Sequence, residues 1–459
     1  MFNQPTPKKH FLQMHITPVQ MICLSFVAVI LTGALLLMLP VSARDGSITP
    51  FTNALFTATS ATCVTGLIVY DTYLHFSGFG QAVILLLIQV GGLGLVTFTS
   101  FLSLIAGRKL GFRSMDLAKE SANTDSFGDV KRMLRTIITV TVVIEALGAL
   151  VLACTFVPLY GWQDGVPISV FLAVSAFCNA GFDILGREGA YVSLMNYVSS
   201  LGVYIPIALL IIFGGLGFMV WREIFHYRKT KTLSLHSRLV LWMTGLLVLL
   251  GTAVFLLLEW NNPKTMGTLS FLDKLGAGFF QSVTTRTAGF NSIDQAGLTE
   301  LSKIASIVLM FIGASPASTG GGIKVTTIAV VVMTIASVMH GYEDTIIMRC
   351  KVEKKAVYKA ITLFALAFSL VFVCSGLIDV SMGANSGISF TDVVFEEVSA
   401  FGTVGLSAGL TAQANTFTKY LLILTMYFGR VGPLSLIVSL AMRVSSQKEV
   451  LPVGKILIG

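Results

Sequence analysis

Long apolar runs are the feature of this 459-residue chain that most restricts its fold. A helix needs about 20 mostly apolar residues to cross the hydrocarbon core of a bilayer. Segments of that length lie at 19–40, 79–106, 136–158, 198–221, 239–258, 357–378 and 419–442. Only 12% of the residues are charged, which is about half the share usual in soluble domains. A soluble enzyme, a nucleic-acid-binding domain and a disordered chain are therefore excluded. The sequence predicts a polytopic membrane protein that is embedded in the lipid bilayer and binds no nucleic acid.

Lysine and arginine are distributed unequally between the two sides of the predicted membrane. If the spans alternate, one side receives the N-terminus, the loops 107–135, 222–238 and 340–356 with Lys359, and the C-terminal tail from Arg443. That side carries 22 of the 31 basic residues, against seven on the other. Because cytoplasmic loops carry the excess of Lys and Arg, both termini are expected in the cytoplasm. The net charge of +8 then indicates orientation and not a polyanionic partner.

Four shorter apolar stretches are too short to span and fit re-entrant half-helices better. They lie at 50–62, 166–178, 270–284 and 389–401, and each runs into a glycine: Gly66, Gly181, Gly289 and Gly405. Helix-start patterns precede three of them, namely Thr49-Pro50, Ser270 with Asp273, and Ser389 with Asp392. The chain thus repeats one unit, made of a span, a half-helix, a glycine turn and a second span.

Two spans per unit return the chain to the same side, so the units are parallel and not inverted. The predicted fold class is an all-α polytopic membrane protein with four parallel repeats, like those of K⁺ channels, around one pseudo-fourfold pore. The predicted organisation is a cytosolic N-terminal segment at 1–18, repeat 1 at 19–107, repeat 2 at 108–226, repeat 3 at 236–340 with an intramembrane loop at 313–324, repeat 4 at 357–443, and a cytosolic C-terminal tail at 444–459.

The repeated glycines suggest an ion site. Glycine adopts positive φ at little cost, so it can turn consecutive carbonyl groups toward one axis. A ring of such oxygens can replace the hydration shell of a cation, as in K⁺-selective pores. A lone glycine after a helix is usually only a C-cap, whereas four at equivalent positions favour the ring. The candidate K⁺-binding residues, called here the four glycine segments, are Thr62, Cys63, Val64, Thr65 and Gly66; Phe177, Cys178, Asn179, Ala180 and Gly181; Thr287, Ala288 and Gly289; and Thr403, Val404 and Gly405.

These four unequal copies resemble the Trk/Ktr/HKT potassium transporter superfamily over about residues 17–443. Within that superfamily two features favour a resemblance to the bacterial Ktr membrane subunit: no extra span pair precedes the first unit, and the stretch 310–328 matches. The resemblance implies K⁺ uptake by a pore subunit in the bacterial inner membrane, with K⁺ at the carbonyls of the glycine segments. It also implies a homodimer, a cytosolic nucleotide-binding RCK/KTN-type ring subunit as partner, and activation by Na⁺. Nucleotide is expected only on that partner, and no covalent cofactor is expected.

The segment 302–339 is long enough to span but is interrupted in its middle. Its two apolar halves, 302–312 and 325–339, are each too short to cross the membrane. The residues between them are small, polar or helix-breaking and need a water-lined cavity. By resemblance they form a gating loop: Gly313, Ala314, Ser315, Pro316, Ala317, Ser318, Thr319, Gly320, Gly321, Gly322 and Lys324. A packing kink without a gating role is the alternative. A phosphate-binding loop is excluded, because Lys324 follows Ile323 and no strand precedes the segment.

Arg430 falls inside the last span, where a charge normally faces a cavity or a partner. It aligns with Gly92, Gly215 and Ala314 of the other units, and we interpret it as a pore-side electrostatic barrier that also contacts the loop. A structural ion pair with Glu145 is the alternative. Arg286 precedes its glycine by three residues and is expected to point outward or to brace its segment.

Acidic residues near the glycines, namely Asp183, Asp294, Glu396 and Glu397, either concentrate external cations or belong to ordinary solvated loops. No general acid–base pair or catalytic triad is apparent, so the chain is not expected to be an enzyme. The rival function is a stoichiometric Na⁺- or H⁺-coupled cation symporter. Such a transporter needs carboxylates at mid-membrane depth, and Glu145 alone qualifies.

Overall fold

The computed structural model describes residues 18–94, 127–383 and 387–432. The N-terminal segment, most of the loop predicted at 107–135, the final parts of the spans predicted at 79–106 and 419–442, and the C-terminal tail lie outside these ranges. The described part is almost entirely helical. One antiparallel pair of short strands, β1 (Ile346–Ile347) and β2 (Cys350–Lys351), lies in the loop predicted at 340–356.

Four helices in the described ranges are long and apolar enough to cross a membrane. They are α1 (Pro18–Leu37), α5 (Phe127–Phe177), α8 (Leu235–Glu259) and α12 (Lys354–Met382). Their outward faces carry large apolar side chains, such as Leu257 and Val380, which are 82% and 81% exposed. Apolar surface on this scale suits lipid rather than water.

The four predicted half-helices are helical. They are α2 (Phe51–Cys63), the part of α5 after Gly161, α9 (Phe271–Thr284) and α13 (Phe390–Phe401), and they are called here the short helices. Gly161 has φ 74° and divides α5 at the place where a loop between span and half-helix was predicted. Two of the three predicted helix starts are confirmed and one is wrong. Ser270 and Ser389 cap their helices as predicted, but the predicted Thr49 cap is wrong, because the Thr49 hydroxyl bonds to His75 Nε2 at 3.0 Å.

The remaining helices complete the units. They are α3 (Thr72–His75), α4 (Gly78–Leu93), α6 (Leu201–Gly215), α7 (Phe218–Thr230), α10 (Glu300–Phe311), α11 (Val325–Met339), α14 (Leu410–Gln413) and α15 (Thr416–Val431). Short 3₁₀ turns lie at Pro40–Ser42, Gly186–Glu188 and Met195–Tyr197.

The span predicted at 198–221 is not one helix. It breaks between α6 and α7, whose axes meet at 94°. Gly217 has φ 90° at the break, and the Phe218 N–H donates to the Ala317 carbonyl at 2.9 Å. The break therefore lies where the chain meets the 313–324 loop, and the loop supplies a hydrogen-bond partner for the freed backbone.

Contacts between the short helices and their neighbours close into a circle. Each short helix packs against the main helix that follows the glycine segment of the preceding unit: α2 against α15, α5 against α4, α9 against α6 and α13 against α10. Phe56, Phe280 and Phe395, one on each of three short helices, are fully buried. A well-packed shell of helices thus surrounds the places where the short helices end.

Candidate functional site

The backbone turns in the same way after every short helix. Two residues before the glycine, Val64, Asn179, Thr287 and Thr403 have φ of 58°, 60°, 58° and 49°. The glycines themselves, Gly66, Gly181, Gly289 and Gly405, have φ of 95°, 70°, 83° and 92°. Positive φ is uncommon outside glycine and marks local strain that the surroundings must hold in place. The four glycine segments therefore share one unusual conformation, which their different sequences do not require.

The four glycines lie in a closed ring. A Cβ on Gly66 would lie 2.5 Å from the Ala180 carbonyl oxygen, and one on Gly181 would lie 2.6 Å from that of Ala288. The ring continues from Gly289 to the Val404 oxygen at 2.3 Å and from Gly405 to the Thr65 oxygen at 2.2 Å. At each position a side chain would thus strike a backbone carbonyl of the neighbouring segment. Glycine is required here by space as well as by φ.

All four glycines line one cavity of about 270 Å³. The residues that follow the glycines form the rest of its wall, including the carboxylates Asp71, Asp183 and Asp294. Burial and the nearby Asp71 carboxylate raise the pKa of Asp183 to about 6. The cavity is therefore an acidic vestibule that opens directly onto the ring.

The 313–324 loop lies against the opposite ends of the glycine segments. The Thr319 hydroxyl is 3.1 Å from both the Phe177 carbonyl oxygen and the Asn179 amide oxygen. The Gly321 N–H donates to the Thr403 hydroxyl at 3.0 Å, and a Cβ on Gly320 would meet the Thr287 hydroxyl at 2.1 Å. The loop thus contacts three of the four residues with positive φ that precede the ring.

The loop is also fastened to the helices around it. The Ser315 N–H donates to the Gly215 carbonyl at 3.1 Å, and the Gly322 N–H to the Gly429 carbonyl at 3.2 Å. Lys324 donates to the Gly320 carbonyl at 2.7 Å, which folds the loop back on itself. The interruption predicted within 302–339 is therefore real, and its residues fill the space beneath the ring.

Arg430 joins this loop to the first unit. Its guanidinium donates to the carbonyls of Thr319, Gly91 and Gly92, the last at 3.1 Å. Within the described ranges, no carboxylate lies within ion-pair distance of Arg430. Glu145 instead accepts from Gln89 Nε2 at 3.2 Å. The structure thus gives the loop contact expected for Arg430 and does not give the alternative ion pair.

Three further charged candidates, Arg286, Glu396 and Glu397, are buried. Arg286 is 8% exposed and donates to the Thr244 carbonyl at 3.4 Å, so it braces its segment against α8 and does not point outward. Glu396 and Glu397 lie on α13 with no exposed surface, so the alternative that they belong to solvated loops is wrong. The Glu396 carboxylate accepts from the Thr411 N–H at 3.0 Å and from the Ser407 hydroxyl at 2.8 Å. The Glu396 carboxylate therefore holds the segment that follows the fourth glycine against α13.

Sequence reasoning missed three contributors. Asp71 lines the vestibule and accepts from the Tyr191 N–H at 3.0 Å, which joins the loops of two units. Gly217 accommodates the loop, since a Cβ there would lie 2.7 Å from the Pro316 carbonyl oxygen. Gln89 binds Glu145. A signal existed for Asp71, which follows its glycine by five residues as Asp294 does.

Taken together, these features define a multi-pass helical membrane protein in which re-entrant glycine segments converge beneath an acidic vestibule. The sequence matches a family model described as TrkH, cation transport protein, over residues 5–450. This covers most of the chain, and the chain belongs to that family. The family is one of transport proteins and not of enzymes.

Several relatives are similar over nearly their whole length. The Ktr system potassium uptake protein B of Bacillus subtilis is 40% identical over 425 residues, which cover 93% of each chain. The protein of the same name from Vibrio alginolyticus is 40% identical over 92% of this chain and 91% of its own. The potassium/sodium uptake protein NtpJ of Enterococcus hirae is 38% identical over 95% of this chain and 96% of its own.

The fold is similar to that of a solved structure. The potassium transporter TrkH from Vibrio parahaemolyticus superposes with a TM-score of 0.69, covering 95% of this chain and 87% of that one. The two sequences are 18% identical in the alignment, so this likeness concerns the fold alone.

Proposed function

We propose that this chain is the pore-forming subunit of a Ktr-type potassium uptake system. The observation that carries the proposal is the closed ring of Gly66, Gly181, Gly289 and Gly405, with a neighbouring carbonyl oxygen at each glycine. Four parallel repeats around one pseudo-fourfold pore explain that ring and the circle of helix contacts. The K⁺ ion sheds its water there and is bound by the carbonyls of the glycine segments.

The 313–324 loop acts as the gate in this proposal. Its hydrogen bonds to residues of the glycine segments and to Arg430 support an obstruction directly below the ring. The Arg430 guanidinium adds a positive charge that opposes passage of a cation. Opening then requires the loop to leave its contacts with Asn179 and Thr403.

The driving force is the membrane potential. Moving one cation inward gains about 2.3 kcal/mol per 100 mV, and a tenfold gradient opposes it with about 1.4 kcal/mol. A potential of about 100 mV therefore supports roughly fiftyfold accumulation without any hydrolysis by this chain.

The remaining parts of the proposal come from the relatives. Two of them are named as Ktr system proteins, which supports a cytosolic RCK/KTN-type ring subunit that holds the nucleotide. Activation by Na⁺ agrees with the name of the Enterococcus protein. The proposed assembly is a homodimer in the bacterial inner membrane with both termini in the cytoplasm, which agrees with the excess of Lys and Arg in the loops on that side.

Growth and K⁺ uptake in a host that lacks its own potassium transporters test the function. The chain is expected to restore growth at low external K⁺, and more strongly with a co-expressed ring subunit. No K⁺ uptake by a correctly inserted protein, with or without that subunit, would refute the proposal. Reversal potentials separate a pore from a symporter, because a fixed ion-to-substrate ratio at reversal would favour the symporter.

A further inference from the structure

A partly buried polar cluster lies behind the second glycine segment, formed by Glu145, Gln89 and Cys178. The Gln89 amide Nε2 donates to the two carboxylate oxygens of Glu145 at 3.2 and 3.3 Å. The Cys178 Sγ lies 3.8 Å from Glu145 Oε1 and 3.7 Å from Gln89 Oε1, within the range of a thiol donor. Each of the three groups thus contacts the other two.

The cluster joins three separate parts of the fold. Glu145 lies on the first half of α5, Gln89 on α4 of the preceding unit, and Cys178 in the glycine segment itself. Cys178 has no exposed surface, and a Cβ on Gly92 would lie 2.6 Å from its sulfur atom. The thiol is therefore held on one side by a close glycine contact and on the other by the carboxyl and amide groups.

Placing a carboxyl group at this position within a membrane span costs free energy. Acidic residues within membrane spans are rare and usually mark functional positions. Within the described ranges, no basic side chain lies within ion-pair distance of Glu145, so a structural ion pair does not account for it. Its contacts lead to the glycine segment, where Asn179 follows Cys178 and lies 3.1 Å from Thr319 of the loop.

The equivalent positions in the other units are occupied differently. Cys63, Arg286 and Gly402 stand where the second unit has Cys178. Arg286 reaches the Thr244 carbonyl of α8, whereas Gly402 has no side chain to anchor. The second segment is thus braced by a carboxyl–amide–thiol cluster and the third by a guanidinium.

We propose that Glu145 is a positioning residue for ion selectivity. It fixes the Cys178 thiol, directly and through Gln89, and thereby holds Asn179 and Gly181 in the geometry that the ring requires. The inference rests on the proposed function, since it assumes that the glycine segments select K⁺. Glu145 does not touch the ion, and it acts through the segment.

Reversal potentials of the full chain under K⁺ on one side and Na⁺ on the other give the permeability ratio that tests this role. Glu145→Ala leaves Cys178 and Gln89 without their partner, and we expect the K⁺-over-Na⁺ ratio to fall roughly fivefold to tenfold, the scale of one or two lost hydrogen bonds. Glu145→Gln keeps an accepting oxygen and is expected to stay within about twofold of the wild type. Glu259→Gln is the control, because the Glu259 carboxylate is also buried but bonds Thr265 and Thr299 in loop regions.

A double-mutant cycle separates positioning from general destabilisation. Glu145→Ala and Cys178→Ala should lower the ratio by amounts that do not add in the double variant, because both remove the same contact. Additive effects would overturn the proposal. Cys154→Ala, on the same helix as Glu145 but with an exposed thiol, controls for the loss of a sulfur atom.

The remaining outcomes also decide the question. An unchanged permeability ratio in folded Glu145→Ala overturns the proposal. A Glu145→Gln variant whose ratio falls as far as that of Glu145→Ala also overturns it, because the charge of Glu145 and not its hydrogen bonding would then matter. If Glu145→Ala does not fold, Gln89→Ala replaces it and is expected to lower the ratio by about threefold. An unchanged ratio in Gln89→Ala would overturn the proposal. A wild-type protein that does not discriminate K⁺ from Na⁺ would instead refute the proposed function.

Discussion

Replacing Gly289 with serine tests the ring at one defined point. Gly289 has φ 83°, and a Cβ there would lie 2.3 Å from the Val404 carbonyl oxygen. An ordinary contact between such atoms needs about 3.5 Å, so the oxygen or the glycine backbone has to move by about 1 Å. Gly181 and Gly405 enclose the same point, with Cα atoms 3.2 and 3.3 Å from that Cβ, so the backbone has little room to yield.

The magnitude follows from two separate costs. A side chain at this φ costs roughly 1–2 kcal/mol, and the displaced oxygen no longer lies where an unhydrated K⁺ requires it. If half of this strain is expressed as weaker K⁺ binding, selectivity over Na⁺ falls roughly threefold, and loss of one coordinating oxygen brings the total decrease to about tenfold. We therefore expect the K⁺-over-Na⁺ permeability ratio of Gly289→Ser to fall by about tenfold.

Two matched serine substitutions separate these costs. Gly46 has φ 69° but nothing within 4 Å of a Cβ, so Gly46→Ser carries the conformational cost alone. Gly376 has neither positive φ nor a close neighbour, so Gly376→Ser carries neither cost. Both controls should keep the wild-type permeability ratio when reconstituted beside Gly289→Ser. An unchanged ratio in folded Gly289→Ser would refute the assignment of the ring as the selective site.

Other predictions test the loop, the charge beneath the ring and the vestibule. Deleting 315–321 should raise K⁺ flux severalfold and make the flux less dependent on the cytosolic partner subunit. Lower flux in a folded protein would contradict the proposal that the loop is a gate. Arg430→Gln should raise flux roughly tenfold by removing a charge near the ion path, whereas unchanged flux would count against a barrier. Because the pKa of Asp183 is raised to about 6, its carboxylate is charged above that pH and neutral below it. Uptake should therefore fall about twofold to threefold as external pH drops through 6, and Asp183→Asn should remove this pH step.

Much of the helical framework could be predicted because its signals are local. The stretches predicted at 270–284 and 389–401 become α9 (Phe271–Thr284) and α13 (Phe390–Phe401), whose serine caps lie one residue ahead of each helix. The interruption within 302–339 was visible as a run of small and helix-breaking residues. Composition, caps and glycine spacing carry this information without any tertiary contact.

The contacts within the site could not be predicted in the same way. The break at Gly217 lies inside an apolar run, so hydropathy alone predicts one continuous span there. The acidic character of Glu396 and Glu397 suggests exposure to solvent, yet both are buried, like the rest of Phe395–Phe401 at the C-terminal end of α13. The partners of Glu145 are 56 and 33 residues away along the chain. Such pairings depend on how the units pack around each other.

The differences between the four units explain how one loop can lie beneath a ring that all four share. The units numbered one, two and four reach the level below the ring with Gly94, Gly217 and Gly432, whose φ values are 80°, 90° and 93°. The third unit has the 313–324 loop at that level. Because the backbone of these three units turns sharply there, it leaves room for the loop of the third unit to cross beneath the ring and contact Asn179 and Thr403. A chain with four identical units would have no such loop, or four competing for one space, so the inequality of the repeats is what allows a single loop to lie beneath the ring.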